Sequence, residues 1–379
     1  MTGVYVHVPY CVKKCAYCDF CSVPLDGTAE AYPDALCREI ELSRDRLPYE
    51  GPVPSVFFGG GTPTALPSEA LVRILETVRR TYEVRSDAEI TLECNPGTAG
   101  YADLVKLRAA GFNRLSLGLQ SANDRLLQVV GRIHTYDQFL TAFHAARDAG
   151  FQNINVDLMH GLPGQTQADY MDTLQKVCDL GPEHISAYAL ILEEGTPLCR
   201  RVRAGEIDLP DEDAVADMED AGMAFLKERG YERYEVSNFA RPGHACRHNL
   251  IYWNDEPYLG FGVAAHSSAK GDGEWLRWSN TDSIPEYLRK LRRGKLPTAE
   301  TLHVDRKEEM FEVVMLGLRK VSGIPRAAFL DRFGMPLEKA FPDAWLNVQA
   351  NGWWAEDLTR YALSPQGMDH LNTALCYFR

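Results

Sequence analysis

The sequence lacks the clustered positive charge that proteins use to bind nucleic acid. Lysine and arginine number 40 against 53 aspartates and glutamates, so the formal net charge is −13. No stretch of the chain is dense in basic residues. Because phosphate binding depends on grouped cations, we expect no nucleic acid among the main partners.

Long apolar segments are missing as well. The first ten residues, "MTGVYVHVPY", contain neither the basic region nor the apolar region of a signal peptide. No apolar run reaches the roughly 18 residues that a membrane-spanning helix requires. We therefore expect a cytoplasmic protein, in which cysteines stay reduced and do not form a disulfide framework.

Cysteine is plentiful but unevenly placed. Four of the ten cysteines lie in the segment "YVHVPYCVKKCAYCDFC", Tyr5 to Cys21. In a reducing compartment such a cluster indicates metal or redox chemistry. The scattered cysteines are interpreted as small buried hydrophobic residues; they are Cys37, Cys94, Cys178, Cys199, Cys246 and Cys376.

Residues 1 to about 230 alternate short β-rich runs with longer segments of helical apolar spacing, which predicts an α/β fold with parallel strands. The predicted strands are 4–10, 55–61, 89–95, 114–120, 153–159 and 184–190. The predicted helices are 31–46, 67–82, 99–110, 136–149 and 167–180. Six such units fit either a doubly wound sheet or an incomplete (β/α)6 barrel of the TIM type.

Polar residues at the ends of the predicted strands favour the barrel. Cysteines follow the first strand, "GGGTP" follows the second, and Glu93, Gln120 and Asp157 lie in or at the end of later ones. In barrels the functional residues come from the carboxyl ends of many strands, whereas a doubly wound sheet places them at one switch point.

The rest of the chain is predicted to form two further regions. A β-rich extension is expected over 231–290 after the barrel of 1–230, and the polar segment 290–300 is interpreted as a linker. Residues 300–379 show helices near 307–320 and 326–333, then a hairpin and a last helix, which is the order of a winged-helix domain. Such domains often bind DNA, but fold does not fix function and the chain is acidic.

Three of the clustered cysteines, Cys11, Cys15 and Cys18, have the spacing C-x3-C-x2-C. Three thiolates can bind three irons of a [4Fe-4S] cluster and leave the fourth iron open, whereas an electron-transfer ferredoxin normally supplies four. A structural zinc site, with Cys21 or His7 as its fourth ligand, is the alternative, although no second Cys-x2-Cys pair exists in the chain.

This segment resembles the radical S-adenosylmethionine (SAM) superfamily, in which an aromatic residue, here Tyr17, precedes the last cysteine. The resemblance implies that SAM binds the open iron and that an electron from the reduced cluster cleaves it. Cys21 is therefore not expected to be a ligand, because a fourth thiolate would block that iron.

The same resemblance implies a set of SAM contacts in the barrel. Carboxylates can accept hydrogen bonds from an ammonium or from ribose hydroxyls, and an arginine can bind a carboxylate. Glycines after a strand allow the backbone to come close to a ligand. For the acidic residues, pairing with Arg114 remains an alternative. The implied contacts are Tyr5, Tyr17, Gly60, Gly61, Thr62, Glu93, Gln120, Arg132 and Asp157.

Within the superfamily the chain resembles the HemW-type haem chaperones, relatives of the HemN-type coproporphyrinogen III dehydrogenases. The resemblance is carried by "FFGGGTPT", "ITLECNPGT", "RLSLGLQS", "VGRIH", "NVDLMHGLPGQT", "RYEVSNFARPGHACRHNLIYWN" and "LGFGVAAHS". HemN has a fourth cysteine two positions after the third and an N-terminal extension. Here that position is Phe20, and only four residues precede Tyr5.

The segment "HNLIYW" matches a haem-binding motif of the HemW type. By that resemblance His248, Asn249, Tyr252 and Trp253 are haem-binding residues, because an imidazole can bind haem iron and aromatic rings can cover a porphyrin face. Cys246 is another potential iron ligand, but burial as a free thiol is the preferred interpretation.

The resemblance implies a haem chaperone that binds a [4Fe-4S] cluster, SAM and haem. Its partners would be client haemoproteins of the respiratory or haem-storage type, including a transient membrane-protein client, and an electron donor such as flavodoxin or ferredoxin. The alternative is an enzyme, the oxygen-independent coproporphyrinogen III dehydrogenase. A regulator that binds DNA or protein through residues 300–379 is a third and weaker interpretation.

Overall fold

In the computed structural model, which describes residues 1–271 and 273–379, twelve strands form one mixed sheet. The strands in chain order are β1 (Gly3–Val8), β2 (Tyr10–Cys11), β3 (Val23–Pro24), β4 (Val53–Gly60), β5 (Val84–Cys94), β6 (Arg114–Gln120), β7 (Ile154–His160), β8 (His184–Ala189), β9 (Glu232–Arg233), β10 (Asn238–Ala240), β11 (Tyr258–Phe261), β12 (His266–Gly271), β13 (Glu274–Asn280), β14 (Thr298–Val304), β15 (Ile324–Pro325) and β16 (Arg360–Tyr361).

Helices connect most of these strands, and a short 3₁₀ turn covers Pro63–Ala65. The α-helices are α1 (Tyr32–Ser43), α2 (Ser68–Thr81), α3 (Tyr101–Ala110), α4 (Asp124–Val129), α5 (Tyr136–Asp148), α6 (Gln167–Leu180), α7 (Pro197–Arg203), α8 (Glu212–Glu228), α9 (Arg247–Trp253), α10 (Ile284–Arg292), α11 (Arg306–Gly317), α12 (Arg326–Phe333), α13 (Leu337–Ala340), α14 (Pro342–Ala350), α15 (Pro365–Asp369) and α16 (Leu371–Cys376).

The sheet runs in the order β14-β13-β12-β11-β1-β4-β5-β6-β7-β8-β10-β9. Its seven central strands, β11 to β8, are parallel, and the strands on both flanks are antiparallel. The six predicted strands correspond to β1, β4, β5, β6, β7 and β8, so the predicted α/β fold is confirmed. Among the described residues the sheet remains open, with β14 and β9 at its edges.

Strand β6 shows why the two faces of the sheet differ. In its sequence "RLSLGLQ" leucines alternate with polar residues and glycine. Leu115, Leu117 and Leu119 join the apolar cluster that includes Phe139 and Phe143 of α5. The intervening polar and glycine positions therefore lie on the opposite face. Every residue of the strand is buried, so the polar face is enclosed as well, as expected for the inner face of a barrel-like sheet.

Local signals set the ends of helix α6. Thr166 precedes the helix and its hydroxyl accepts a hydrogen bond from the Asp169 amide, while the Asp169 carboxylate accepts one from the Thr166 amide. This reciprocal arrangement is a capping box. Gly181 ends the helix with φ +66°, a left-handed conformation that glycine adopts without steric cost.

One prediction about chain organisation is wrong. Residues 290–300 do not form a linker, because α10 extends to Arg292 and β14 begins at Thr298 and pairs with β13. The β-rich extension also contains a helix, α9, which covers the HNLIYW segment. The N-terminus of α9 is bound by a side chain that is distant in sequence. Glu89 Oε1 accepts hydrogen bonds from the amides of Arg247 and His248, at 3.0 and 3.4 Å.

The C-terminal region has its own apolar cluster, Val313 to Phe378, separate from the main cluster of Val4 to Leu291. The expected order of helices, hairpin and last helices is present, with Trp354 and Leu363 forming an antiparallel bridge. The domain limits 1–230, 231–290 and 300–379 stay predictions.

Buried charges join the C-terminal region to the sheet. Asp255, whose side chain is 3% exposed, pairs with Arg277 at 3.1 Å and with Arg332 at 2.8 Å. Burial raises the pKa of Asp255 to about 6, although both arginines act in the opposite direction. Since removing one partner of a buried pair leaves an uncompensated charge, this network fixes the position of the C-terminal region against β13.

No helix among the described residues has the length and apolar character needed to cross a bilayer.

Candidate active site

The carboxyl ends of the central strands surround a cavity of about 330 Å³, here called the thiol cavity. It collects three of the four clustered cysteines and eight of the nine residues predicted to contact SAM. These are Cys11, Cys15, Cys18, Tyr17, Gly60, Gly61, Thr62, Glu93, Gln120, Arg132 and Asp157.

Backbone hydrogen bonds hold the cysteine loop over this cavity. The loop leaves β2, and Ala16 at its middle donates to the Val130 carbonyl at 2.9 Å and accepts from the Leu198 amide at 2.8 Å. The Cys18 amide donates to the Cys15 carbonyl at 3.3 Å, which forms a tight turn between two of the thiols. The main chain of the loop is therefore held by contacts to α7 and to the end of α4.

The glycine-rich turn after β4 lies directly beneath the loop. Gly60 has φ +114°, and its amide donates to Glu93 Oε2 at 3.1 Å. A Cβ atom on Gly61 would lie 2.8 Å from the Tyr10 carbonyl oxygen and 3.0 Å from Cys11 Sγ. Both distances are shorter than ordinary van der Waals contacts, so the turn can approach the cysteine loop this closely because residue 61 has no side chain.

Two carboxyl groups, Glu93 and Asp157, lie deep in the thiol cavity. Asp157 accepts hydrogen bonds from Asn155 Nδ2 at 2.7 Å and from Ser116 Oγ at 3.1 Å, and burial raises its pKa. Burial, and secondarily the charge of Asp157, raises the pKa of Glu93 to about 8. The charge of Arg114 opposes the rise in pKa of both carboxyls, but Arg114 forms no direct ion pair with either among the described residues. A cationic group in the cavity would stabilise both ionised carboxylates.

Arg132 has spare hydrogen-bonding capacity at the opposite wall. One terminal nitrogen donates to Asn95 Oδ1 at 2.8 Å and to the Gly118 carbonyl, and the other lies 3.6 Å from Cys15 Sγ. Its Nε is buried and has no partner among the described residues. Because a buried donor without an acceptor is costly, an acceptor that reached this nitrogen would be favourable.

Gln120 carries backbone strain at the end of β6. Its φ of +73° is unusual for a residue with a side chain. The pairing register between β6 and β7 shifts between Gly118 and Gln120, which indicates a local irregularity in the strand. Strain of this kind persists where the surroundings enforce it, often at a binding site, and Gln120 lines the cavity.

These features fit a [4Fe-4S] cluster with SAM better than zinc. Of the two residues considered as a fourth zinc ligand, His7 has its Nδ1 3.1 Å from the Tyr5 hydroxyl and its Nε2 2.9 Å from the Cys21 carbonyl. The Cys21 thiol lies 3.9 Å from the Asp282 carbonyl oxygen and does not line the cavity. Among the described residues, no three His, Cys, Asp or Glu side chains converge as they would on one metal ion.

Tyr5 is the one predicted SAM contact that the structure places elsewhere. Its hydroxyl is bonded to His7, and its ring stacks on Phe57 with centroids 6.2 Å apart. Tyr5 packs against the neighbouring strand β4 and is not among the residues that line the cavity.

His248 is not placed as a free haem ligand. It is 1% exposed, with Nδ1 3.0 Å from Ser55 Oγ and Nε2 2.9 Å from the Tyr252 hydroxyl. Its ring stacks on Phe57 at 5.2 Å, and burial lowers its pKa to about 3. Both ring nitrogens are therefore occupied, and binding to iron would require at least one of these hydrogen bonds to break.

The other three haem-motif residues, Asn249, Tyr252 and Trp253, line a second cavity of about 860 Å³. This second cavity is bounded by α8, by residues 233–238, by α9 and by residues 368–373 of the C-terminal region. Tyr188, at the end of β8, lines both cavities, so the two share a wall. Cys246 is fully buried, as its preferred interpretation requires.

Sequence reasoning missed several residues of the thiol cavity, among them Asn95, Ser116, Met159 and Tyr188. Three of them, Asn95, Met159 and Tyr188, stand at or next to the carboxyl end of a central strand, which is where barrels place functional residues. Ser116 occupies the inward face of β6 together with Gly118. Their position in the predicted strands, more than their residue type, was the available signal.

Comparisons with known proteins agree with this architecture. The radical SAM superfamily profile matches residues 5–177, and the HemN C-terminal domain profile matches residues 304–370. The "Heme chaperone HemW" of Bacillus subtilis (strain 168) is 33% identical over 97% of this chain and 96% of that protein. The protein of the same name from Escherichia coli (strain K12) is 34% identical over 93% of each chain.

A solved structure covers the whole chain. Coproporphyrinogen III oxidase (HemN) from Escherichia coli, described as a radical SAM enzyme, aligns with a TM-score of 0.85 and 25% sequence identity. The alignment covers 100% of this chain and 89% of that one. The similarity therefore includes the sheet, the thiol cavity and the C-terminal region.

Proposed function

Because this chain belongs to the HemW family of the radical SAM superfamily, we propose that it is a haem chaperone that binds a [4Fe-4S] cluster, SAM and haem and delivers haem to client haemoproteins. The observation that carries the proposal is similarity over nearly the whole chain to relatives named as haem chaperones. Phe20, where HemN carries a fourth cysteine, supports the same choice.

We assign the cluster to Cys11, Cys15 and Cys18, which line one wall of the thiol cavity. Cys21 is left out because its thiol points away from that wall, toward the Asp282 carbonyl. When bound, a reduced cluster supplies the electron that cleaves SAM. The chain's contribution is to hold three thiols on a fixed loop and to leave space beside them.

The other residues of the thiol cavity suit the ammonium group and the carboxylate group of an amino acid ligand. Glu93 and Asp157 would accept hydrogen bonds from cationic or hydroxyl groups, while Arg132, with its unpaired Nε, would donate to a carboxylate. The Gly60–Gly61 turn gives room for close backbone approach. Tyr17, Thr62 and Gln120 complete the proposed contacts. Tyr5 lies outside the cavity, and its hydroxyl is hydrogen-bonded to His7.

The competing function is oxidative decarboxylation of coproporphyrinogen III, which is favoured by the full-length structural match to HemN. Both functions use the cluster and SAM, so the test must compare what the protein does with haem and with coproporphyrinogen III. We propose anaerobic reconstitution with iron and sulfide counted per chain, followed by parallel assays of SAM cleavage, haem binding and coproporphyrinogen consumption.

The chaperone proposal predicts haem binding and transfer of that haem to a haem-free client, with no protoporphyrinogen formed. Client transfer is followed by the change in the haem spectrum when loaded protein is mixed with an apo-haemoprotein. Accumulation of protoporphyrinogen with SAM and a reductant, in place of haem transfer, would establish the enzyme alternative.

A further inference from the structure

The second cavity has the size and composition of a ligand site that the thiol cavity does not account for. Its volume, about 860 Å³, is near the upper end of the roughly 300–1,000 Å³ typical of small-molecule sites. Aromatic and thioether side chains from separate elements line it, namely Tyr252 and Trp253 of α9, Met223 of α8 and Met368 of α15. A large, flat and partly apolar ligand is the kind that would fill it.

Two side chains that line the same cavity carry unpaired polar atoms. Asn238 is 3% exposed, and its Oδ1 has no hydrogen-bond partner among the described residues. The buried indole Nε1 of Trp253 likewise has none within the described part of the chain. A ligand that reached these two atoms would satisfy a buried acceptor and a buried donor.

One of the two cations that line the cavity is uncommitted. The Arg233 guanidinium donates to the carbonyls of Glu235 and Val236. The Arg319 side chain forms no hydrogen bond or ion pair with any described residue, and burial lowers its pKa. The cavity is also lined by four acidic side chains, Glu219, Asp220, Glu235 and Asp369. Burial raises the pKa of Glu219 and Glu235, whereas Asp220 and Asp369 are exposed.

A histidine with free ring nitrogens completes the set. His370, between α15 and α16, lines the cavity, and its ring stacks on Trp353 with centroids 5.0 Å apart and planes at 29°. His370 is exposed, and neither ring nitrogen has a hydrogen-bond partner among the described residues, in contrast to the two occupied nitrogens of buried His248. The stacking orients the imidazole without using the atoms that bind iron.

We propose that an iron porphyrin binds in the second cavity, with His370 as an axial ligand of the iron and Arg319 bound to a propionate carboxylate. The inference rests on the proposed haem-binding function and specifies where and through which residues haem is held. In this arrangement α9 contributes its aromatic side chains, and His248 positions α9 through Ser55 and Tyr252. The C-terminal region supplies the ligand to iron.

The test uses the full-length protein and two porphyrins, haem and metal-free protoporphyrin IX. Binding is measured by absorbance titration, and iron ligation by the position of the Soret band and by electron paramagnetic resonance. His370→Ala and the longer His370→Gln remove the imidazole. His303→Ala is the matched control, since His303 on β14 is 70% exposed and pairs with Glu274 outside both cavities.

The proposal predicts different effects for the two residues. Loss of His370 shifts the Soret band and weakens haem binding by about tenfold or more, and leaves metal-free protoporphyrin unaffected, because only iron uses the ligand. Added imidazole restores the wild-type spectrum. Arg319→Gln weakens binding of both porphyrins by about tenfold, because both carry the propionate.

The outcomes separate this inference from the proposed function. If wild-type protein binds haem and both His370 variants match it in spectrum and affinity, the site assignment is wrong while the haem-chaperone proposal stands. The same holds if imidazole fails to restore the spectrum, or if His248→Ala alone abolishes ligation. If wild-type protein binds no haem, both proposals fail.

Discussion

The substitution Gly61→Ala tests whether the glycine-rich turn and the cysteine loop form one unit. The added Cβ would lie 2.8 Å from the Tyr10 carbonyl oxygen and 3.0 Å from Cys11 Sγ. Ordinary non-bonded contacts are about 3.5 Å or longer, so the overlap is at least about 0.5 Å with two atoms at once. One of these atoms belongs to the backbone and the other to a proposed cluster ligand, so neither moves without shifting the loop.

Overpacking of this kind costs about 1–3 kcal/mol. For a domain of roughly 150–250 residues, 1 kcal/mol lowers Tm by about 2–4 °C, so a decrease on the order of 2–12 °C is expected. A displaced Cys11 also lowers the iron and sulfide bound per chain after anaerobic reconstitution. Both quantities are measured on the same preparation, Tm by calorimetry and iron by colorimetric assay.

Gly27→Ala is the control, because nothing lies within 4 Å of a Cβ at that position and its φ is not in the left-handed region. There the smaller conformational freedom of the unfolded chain makes the change neutral or slightly stabilising. The steric argument is refuted if Gly61→Ala retains as much iron and as high a Tm as Gly27→Ala.

Three further predictions concern other parts of the chain. Cys21→Ser should retain wild-type iron and visible cluster absorbance, whereas Cys15→Ser should lose both; equal losses would indicate a closed four-thiolate site. SAM affinity should rise as the pH increases through about 8, because a cationic ligand binds the ionised Glu93 carboxylate and Glu93 must first lose its proton. Equilibrium dialysis between about pH 6 and pH 9 measures this affinity, and Glu93→Gln should abolish its pH dependence. A pH profile unchanged in Glu93→Gln would contradict the assignment. Tyr287→Phe removes the 2.5 Å hydrogen bond to buried Glu39 and should destabilise the fold by about 1–3 kcal/mol; a Tm equal to that of wild type would contradict this.

The sequence was sufficient to predict the central strands because their signals are local. In β6 the alternation of leucines with Ser116 and Gly118 identifies both the strand and the face that points inward. The cysteine spacing likewise lies within one loop. Eight of the nine predicted SAM contacts line the thiol cavity because each stands in the cysteine loop, near the carboxyl end of a central strand, or in the segment that follows it.

Features set by distant partners were not predictable in this way. Helix α9 lies within the predicted β-rich extension, and its first amides donate to Glu89, more than 150 residues earlier in the chain. The burial of His248 depends on Ser55, 193 residues away in the chain. A motif shows which residue types recur together, but it does not show which hydrogen bonds already occupy them.

Tyr188 is a wall that the two cavities have in common. Its side chain contributes to both walls, so a ligand that changes its rotamer on one side alters the surface offered on the other. Coupling between two binding sites is reciprocal: if one ligand changes the affinity for a second ligand by some factor, the second changes the affinity for the first by the same factor. Under the proposed function, a movement of Tyr188 on SAM binding would change the affinity for haem, and haem binding would change the affinity for SAM by the same factor.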